Sequence, residues 1–241
     1  MSALTTVILA AGESKRMRSQ RPKVLHPLGG RPLVAYPLRM AQGLGGRIVI
    51  VVGHQGEEVR RALGEAQHPI FVEQKERLGT GHALREARGA CGEGEGTVLV
   101  LPCDTPFLSE ATLRRLIEHH RATGAAVTLL TAVLEHPAGY GRVLRDQGRV
   151  VAVVEERDAF PEQKENKEVG TSVYCFEARA LWPALEELRP DNDQAEYYLT
   201  DVIGILARRG KKVEAVTTAD PTEALGINDR KQLAQAAALL R

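Results

Sequence analysis

Short runs of β-branched and other apolar residues alternate with helix-forming segments through the first half of this 241-residue chain. The runs predict five strands, which are Thr5 to Ala10, Arg47 to Val52, Ile70 to Glu73, Thr97 to Leu101 and Ala126 to Ala132. Apolar side chains on consecutive residues are typical of parallel strands that are covered on both faces. The alternation therefore predicts an α/β protein with a Rossmann-like, doubly wound, mostly parallel sheet.

The segments between these runs have helical spacing and helix punctuation. We expect Pro32 to begin a crossover helix and the glycines of residues 43–46 to end it. Residues 80–88 and 110–122 also repeat apolar positions at helical spacing.

The pattern changes after about residue 134. Residues 143–145 and 150–154 flank Asp146-Gln147-Gly148, which predicts a hairpin. Residues 169–176 are typical of a further strand, and we expect a smaller mixed lobe that covers the sheet. The remaining predicted elements are a longer helix over 192–209, a strand over 213–217 and a terminal helix over 228–241.

Charge, cysteine content and hydropathy exclude several classes of partner. With 32 Lys and Arg against 31 Asp and Glu, the chain has no overall field that would attract nucleic acid or anionic lipid. The three cysteines show no disulfide or zinc spacing, which favours the reducing cytoplasm. The apolar run over 7–11 is too short for a signal peptide, and no segment approaches the roughly 20 apolar residues of a membrane span. We expect a cytoplasmic protein without nucleic-acid or membrane partners, and a homo-oligomer is left open.

The segment after the first predicted strand has the composition of a phosphate-binding loop. In doubly wound sheets, ligands bind outside the carboxyl ends of the strands. Small residues let backbone N–H groups approach a phosphate there, and basic side chains neutralise it. The segment is neither a Walker A loop nor a dinucleotide fingerprint, and an ordinary turn with solvated bases is the alternative. Its relevant residues are Leu9, Ala10, Ala11, Gly12, Lys15, Arg16 and Lys23.

Other candidate residues also have simpler interpretations. Asp104 follows an apolar strand, so its carboxylate is expected at the edge of the sheet, where it can hold a hard cation or cap the next helix. Asn228 on its own is typical of a helix N-cap, and Gln74 of a surface residue at a strand end. Residues 139–142 predict a turn whose glycines would let a ligand approach the backbone. Residues 197–198 are more typical of helix packing than of recognition.

A series of motifs along nearly the whole chain resembles the sugar-nucleotide pyrophosphorylases, in particular the bacterial N-acetylglucosamine-1-phosphate uridyltransferases. Each motif says little by itself, and their number and order carry the resemblance. They are Leu9-Ala10-Ala11-Gly12 with Arg16-Met17, Pro22-Lys23-Val24-Leu25-His26, Gln74, Leu78-Gly79-Thr80-Gly81-His82-Ala83, Asp104 with Pro106, Gly139-Tyr140-Gly141-Arg142, Val154-Glu155, Glu196-Tyr197-Tyr198-Leu199-Thr200-Asp201 and Gly226-Ile227-Asn228-Asp229-Arg230.

The resemblance implies a nucleotidyltransferase that makes UDP-N-acetylglucosamine and pyrophosphate from UTP and N-acetylglucosamine 1-phosphate, for cell-envelope precursors, with Mg²⁺ as cofactor. It implies one domain, with a nucleotide-binding part over about 1–134, a sugar-binding part over about 135–228 and a terminal helix over 229–241. Many members of this family carry an additional acetyltransferase half. This sequence does not contain it, so we expect no acetyl-coenzyme A chemistry from this chain.

Roles for individual residues follow from the same resemblance. It implies that Arg16 and Lys23 hold the nucleotide phosphates and act with Asp104 in catalysis, and that Asp104 and Asn228 bind Mg²⁺. The implied nucleotide-binding residues are Leu9, Ala10, Ala11, Gly12, Lys23, Gln74, Gly79 and Thr80. The implied sugar-binding residues are Gly141, Glu155, Gly170, Tyr198 and Thr200.

The chain also departs from the family's pattern. Gly170 and Ser172 stand where the family commonly has Asn and Gly, and the missing amide would cost about 1–3 kcal/mol of sugar binding. Cys103 replaces a glycine before the metal aspartate, and Ser14-Lys15 replaces Gly-Thr in the first loop. The loss at Gly170 concerns the choice of sugar and does not affect the phosphate chemistry of the reaction.

Alternatives therefore stay open. The chain could use another nucleotide or another sugar 1-phosphate, or it could be a nucleotide-sugar binding module without turnover. The first loop also resembles that of cytidylyltransferases and of molybdenum-cofactor nucleotidyltransferases, although residues 22–26 and 79–83 fit those proteins poorly.

Overall fold

The computed structural model of the chain describes residues 3–12, 15–19, 21–64, 69–92 and 94–240. The strands in these ranges are β1 (Leu4–Ala10), β2 (Pro27–Leu28), β3 (Arg31–Pro32), β4 (Arg47–Val52), β5 (Ile70–Glu73), β6 (Thr97–Pro102), β7 (Val127–Val133), β8 (Arg142–Asp146), β9 (Arg149–Val154), β10 (Glu168–Glu177) and β11 (Val213–Thr217). The α-helices are α1 (Ala35–Leu44), α2 (Gly56–Leu63), α3 (Thr80–Glu86), α4 (Arg88–Cys91), α5 (Glu110–Thr123), α6 (Pro161–Lys164), α7 (Ala178–Leu185), α8 (Asp201–Arg208) and α9 (Arg230–Leu239).

One sheet organises the molecule, with the strand order β11-β7-β10-β6-β1-β4-β5. All of these strands run in the same direction except β10, which is antiparallel to both β6 and β7. The hairpin of β8 and β9 joins the sheet through β10. The prediction of a doubly wound, mostly parallel α/β fold is confirmed.

Both faces of the sheet are covered by apolar side chains, which explains the unbroken apolar runs of the sequence. Val7 and Ile8 are neighbours on β1 and both are fully buried, yet they belong to two different core clusters. The same division separates Leu99 from Val100 on β6. Because successive strand residues point to opposite faces, these two clusters lie on opposite sides of the sheet.

The helix predicted to begin at Pro32 begins instead at Ala35. Pro32 lies in β3, which pairs with β2. The backbone N–H of Val34 donates to the carbonyl oxygen of Val24 rather than within a helix. The first residues of the expected helix are therefore bonded to an earlier part of the chain instead. The glycine end of the helix was predicted correctly, because Gly45 caps α1 with a φ of 74°.

Two predictions in the second half of the chain were wrong in position or extent. The strand over 169–176 was expected in the smaller lobe, but β10 lies in the centre of the main sheet. The helix expected over 192–209 is helical only from Asp201 to Arg208. Its first part is not helical, because the backbone of Tyr197 hydrogen-bonds with Leu78 and Gly81 rather than within a helix.

The helix caps settle two of the alternatives. Asp229 caps α9 by accepting a hydrogen bond from the backbone N–H of Gln232, and Asn228 precedes this cap. Ser109 caps α5 in the same way, so Asp104 is not the cap of the next helix. The sequence analysis missed α2, α4, α6 and α7, whereas the hairpin and β11 were predicted correctly. None of the described helices is long and apolar enough to cross a bilayer.

Candidate active site

The loops that carry the candidate residues meet at one edge of the sheet. The carboxyl ends of β1, β4, β5 and β6 lie together there because these strands are parallel. Since β10 runs in the opposite direction, its amino end lies at the same edge, where Gly170 pairs with Thr131 of β7. The antiparallel strand thus brings a late part of the chain to the edge where a doubly wound sheet binds ligands.

The loop after β1 leaves open space beside its backbone. Leu9 and the buried residues Ala10 and Ala11 lead to Gly12, which is exposed. A Cβ atom placed on Gly12 would meet no atom within 4 Å, so an anion can approach the peptide group there. Glu13 and Ser14 lie outside the described residues, so the departure from the family at Ser14 is not located.

The end of this loop is held by the last helix. Met17 is 1% exposed and anchors the 3₁₀ turn in which Arg16 presents an exposed side chain. Arg230 donates from Nε to the carbonyl oxygen of Met17 at 2.8 Å and from Nη2 to that of Arg18 at 2.9 Å. The conformation of the loop that carries Arg16 therefore depends on a residue more than 200 positions away.

Lys23, Asp104 and Asn228 converge at one point. The Lys23 ammonium donates to the Asp104 carboxylate and, at 2.8 Å, to the side-chain oxygen of Asn228. The backbone N–H of Ile227 donates to the Asp104 carbonyl oxygen at 2.9 Å, which joins the two loops. The structure thus brings together the three residues for which the sequence implied phosphate and metal binding.

This arrangement fits a hard cation. The oxygens of Asp104 and Asn228 already surround one positive group, the Lys23 ammonium. Mg²⁺ binds through one or two protein oxygens and completes its shell with water and substrate phosphates. Within the described ranges no group of three or more His, Cys, Asp or Glu side chains could hold a metal ion by itself. The donor set therefore suits a cation that arrives with a phosphate ligand.

Cys103 is not a nucleophile. Burial, with the neighbouring Asp104 carboxylate, raises the pKa of its thiol to about 12. A thiol with such a pKa is protonated at neutral pH, and the thiolate is the reactive form.

Gln74 is buried rather than on the surface, so its interpretation as a surface residue was wrong. It is 4% exposed, and its side-chain NH₂ group donates to the carbonyl oxygen of Gly79 at 3.0 Å. Gly79 has a φ of 105°, and a Cβ atom there would lie 2.7 Å from the Tyr197 carbonyl oxygen. Only glycine fits this position. Thr80 is exposed and its hydroxyl accepts from the backbone N–H of Leu199 at 3.1 Å.

The sugar-side candidates surround Glu155. Its carboxylate accepts a hydrogen bond from the Thr200 hydroxyl at 3.0 Å. Burial raises the pKa of Glu155, and the nearby carboxylates of Asp201 and Asp158 raise it further. Glu155 and Thr200 line a cavity of about 360 Å³ together with Tyr198. The hydroxyl of Tyr198 is engaged, because it accepts from Gln194 at 2.8 Å.

Gly141 and Gly170 form the opposite border of this group. The carbonyl oxygen of Gly141 accepts from the backbone N–H of Gly170 at 3.0 Å. A Cβ atom on Gly141 would lie 3.6 Å from a Glu155 carboxylate oxygen and 3.0 Å from Val153, so a side chain there would crowd the carboxylate. At Gly170 the added atom would meet only Val153, at 3.4 Å. The position where the family commonly has Asn therefore has room for a Cβ atom.

Hydrogen bonds join the three groups of candidates into one site. Leu199 and Thr80 link the sugar side to the loop that holds Gln74. On the other side, the Tyr140 hydroxyl accepts from the backbone N–H of Gly226 at 3.3 Å, two residues before Asn228. The sequence analysis quoted Tyr140, His82 and Arg230 only as members of motifs and assigned no role to any of them. Tyr140 and Arg230 contact residues 86 and 213 positions away, and His82 contacts Gln74 eight positions before it. Only their presence within the matched motifs could have singled them out.

A candidate phosphate-binding loop, a candidate cation-binding pair and a buried amide lie together at one edge of a mostly parallel sheet, as is expected of a nucleotidyltransferase. The chain belongs to the MobA-like NTP transferase domain family, whose model matches residues 6–202. Over its full length it is also similar to bifunctional GlmU proteins. It is 51% identical over 240 residues to that of Syntrophotalea carbinolica and 45% identical over 243 residues to that of Geobacter metallireducens. The resemblance found in the sequence is confirmed.

These alignments cover 99% and 100% of this chain but 51% of each relative. The chain thus spans about half the length of the curated relatives it matches. Among solved structures, a Bacillus anthracis protein described as a glucose-1-phosphate thymidylyltransferase, with sucrose bound, superposes with a TM-score of 0.79 at 20% identity. That alignment covers 99% of this chain and 96% of the other, and it supports the fold.

Proposed function

We propose that this chain makes UDP-N-acetylglucosamine and pyrophosphate from UTP and N-acetylglucosamine 1-phosphate, with Mg²⁺, for cell-envelope precursors. The observation that carries the proposal is the convergence of Lys23, Asp104 and Asn228 beside the loop after β1. The similarity to bifunctional GlmU proteins supports the choice of substrates. The same similarity supports the residue roles that the resemblance implied. It also supports a division of the domain near residue 134 into a nucleotide-binding part and a sugar-binding part.

The reaction is a single in-line displacement. A phosphate oxygen of the sugar 1-phosphate attacks the α-phosphorus of UTP and forms a new oxygen–phosphorus bond. The bond from that phosphorus to the β-phosphate oxygen breaks, and pyrophosphate leaves. The attacking phosphate is already an anion, so the step requires no protein nucleophile, and the buried thiol of Cys103 offers none. Catalysis comes from positioning and from neutralisation of charge.

Each phosphate group meets positive charge or N–H groups of this chain. The backbone of the loop ending at Gly12 receives the phosphates, and Arg16 and Lys23 neutralise them. The oxygens of Asp104 and Asn228 would hold Mg²⁺, which supplies further neutralisation of the phosphate charge when bound. The sheet edge holds these groups in place before substrate arrives.

On the sugar side, Glu155 and Thr200 offer an acceptor and a donor to hydroxyl groups, and Gly141 offers its backbone. Gly170 supplies no side chain for the substrate amide. The missing side chain favours a second candidate function, in which the same reaction uses a sugar 1-phosphate without the N-acetyl group. Both candidates are small-molecule reactions and need neither nucleic acid nor membrane. The free cysteines, two of them buried, fit the proposed cytoplasmic location.

The test is pyrophosphate release from UTP and Mg²⁺, run in parallel with N-acetylglucosamine 1-phosphate, glucosamine 1-phosphate and glucose 1-phosphate. Release with the first sugar alone is the expected result. Release with another sugar would support the proposed reaction and assign a different sugar 1-phosphate as the substrate. Saturable UTP binding without release from any of the three would contradict an enzymatic function and favour a binding module.

A further inference from the structure

The buried amide of Gln74 has both of its N–H donors engaged. Nε2 lies 3.0 Å from the Gly79 carbonyl oxygen and 3.0 Å from Nδ1 of His82. An amide rotated by half a turn would place its oxygen against the Gly79 carbonyl oxygen, so the two acceptors prevent that rotation. Oε1 accepts no hydrogen bond from any residue that the structure describes. It is the amide atom that remains for a ligand.

The contact with Gln74 also selects the tautomer of His82. The amide nitrogen can only donate, so Nδ1 of His82 must accept and carries no proton. In the neutral ring the proton is then on Nε2, which lies 3.4 Å from the Glu86 carboxylate one turn further along α3. Glu86 therefore favours the tautomer that Gln74 needs. His82 is itself 8% exposed, between the amide and the outer face of the helix.

We propose that His82 is a positioning residue that orients the Gln74 amide for nucleobase recognition. This inference rests on the proposed function, because it concerns the base of the nucleotide substrate. With its orientation held by His82, Gln74 presents an acceptor, which matches the imide N–H of uracil. The equivalent ring nitrogen of cytosine is an acceptor and would face Oε1 without a hydrogen.

The experiment compares two variants at His82. His82→Leu removes the acceptor, whereas His82→Asn keeps one in its side-chain oxygen. We expect His82→Leu to raise the KM for UTP about tenfold with little change in kcat, and to lower the UTP-over-CTP ratio of kcat/KM about tenfold. We expect His82→Asn to keep this ratio within about threefold of the unmodified chain.

A second buried histidine provides the matched control. His120 is 4% exposed and its Nδ1 contacts the Thr128 hydroxyl at 3.0 Å, on the far end of α5 from Ser109. His120→Leu should lower the melting temperature without changing the UTP-over-CTP ratio. If His82→Leu behaves in the same way, His82 is only a structural residue and the inference is wrong.

The tautomer can be measured without activity. Nitrogen-15 NMR of the unmodified, substrate-free chain at neutral pH should show His82 with its proton on Nε2, and a proton on Nδ1 would overturn the inference. This readout stands even if His82→Leu does not fold. If the unmodified chain releases no pyrophosphate from UTP, the proposed function fails while the NMR result still tests the tautomer. If the chain is active but the ratio does not change in folded His82→Leu, the inference alone fails.

Discussion

Arg230, the first residue of α9, donates a hydrogen bond to the carbonyl oxygen of Met17 at the end of the loop after β1. A second N–H of the same guanidinium reaches the carbonyl oxygen of Arg18. Arg18 has a φ of 45°, a backbone conformation that non-glycine residues rarely adopt without support. The last helix therefore helps to keep the proposed phosphate-binding loop in its conformation.

Substitution of Arg230 should weaken nucleotide binding through the loop. A lysine has one terminal nitrogen and cannot reproduce two N–H donors in a fixed fork. We expect Arg230→Lys to raise the KM for UTP about tenfold, measured by steady-state pyrophosphate release. Lys231→Ala, at the exposed next position of the same helix, is the control and should leave the KM unchanged. Equal KM values for the two variants would contradict this role.

Asp104→Asn should remove metal binding while keeping the fold. Asparagine has the same shape and can still accept from Lys23, but it lacks the negative charge that attracts Mg²⁺. We expect turnover at saturating substrate to fall by at least about 100-fold, with an unchanged circular dichroism spectrum. Turnover close to that of the unmodified chain would remove Asp104 from the proposed cation site.

Gly170→Asn should restore a side chain that the family commonly has. The first atom of the new side chain fits, because an added Cβ atom meets only Val153, at 3.4 Å. If the amide reaches the sugar, the KM for N-acetylglucosamine 1-phosphate should fall about tenfold. Gly170→Ala adds the Cβ atom alone and serves as the control. Identical kinetics for the two variants would show that the amide does not contact the substrate.

Ser172 occupies a position that suits the family's glycine. Its φ is 62°, and it lies in the irregular part of β10 between Gly170 and Tyr174. Ser172→Gly and Ser172→Ala both remove the side-chain hydroxyl. The difference between their free energies of unfolding therefore reports the strain of a positive φ at this position. We expect the Gly variant to be more stable than the Ala variant by about 1 kcal/mol in urea unfolding. Equal stability would mean that the positive φ carries no strain.

The raised pKa of Glu155 predicts a pH-dependent stability. Burial, with Asp201 and Asp158 close by, makes the folded state bind this proton more tightly than the unfolded state does. The free energy of unfolding should therefore fall as the pH rises from the ordinary glutamate pKa through the raised one. Glu155→Gln lacks this ionisation. It should melt at a higher temperature than the unmodified chain near pH 8, with the gain disappearing near pH 4.

A constant gain for Glu155→Gln across this range would contradict the shift. Asp201 also has a raised pKa because of its burial, so part of the pH dependence should remain in the variant.

Local patterns in the sequence predicted the strands of the first half of the chain well. The bounds of β4 and β5, and of β11 in the second half, agree with the predictions, because each strand is a short run rich in apolar or β-branched residues that ends at or before a glycine or a polar residue. The turn of the β8–β9 hairpin was also local, since Gln147 and Gly148 both have a positive φ. These features depend on neighbouring residues and could be predicted from them.

Elements whose backbone bonds to distant segments were predicted less well. Residues 192–200 have a sequence that suits a helix, but Tyr197 bonds to the loop over 78–81. The place of β10 between β6 and β7 depends on two neighbours that are far away in the chain. A sequence pattern reports the burial of a strand and contains no information on which strand lies beside it.

Some residues of the candidate site could be identified from the sequence, and others only from the structure. The resemblance to known motifs assigned roles to Lys23, Asp104 and Asn228, and the structure brings these residues into contact. The roles of His82 and Arg230 depend on which atoms face Gln74 and the loop after β1. Such distances arise only when the sheet has formed.

The sequence by itself determined the alternation of elements, the apolar runs of the buried strands and the chemical types of the candidate residues. Only the tertiary structure decided that Asp104 faces Lys23 rather than a helix end, that Gln74 is buried, and that β10 carries Gly170 to the site. The physical reason is the distance along the chain over which each interaction acts. Side-chain periodicity and turn preferences act between neighbours, whereas burial and hydrogen bonds between loops depend on how the whole sheet and its two cores pack.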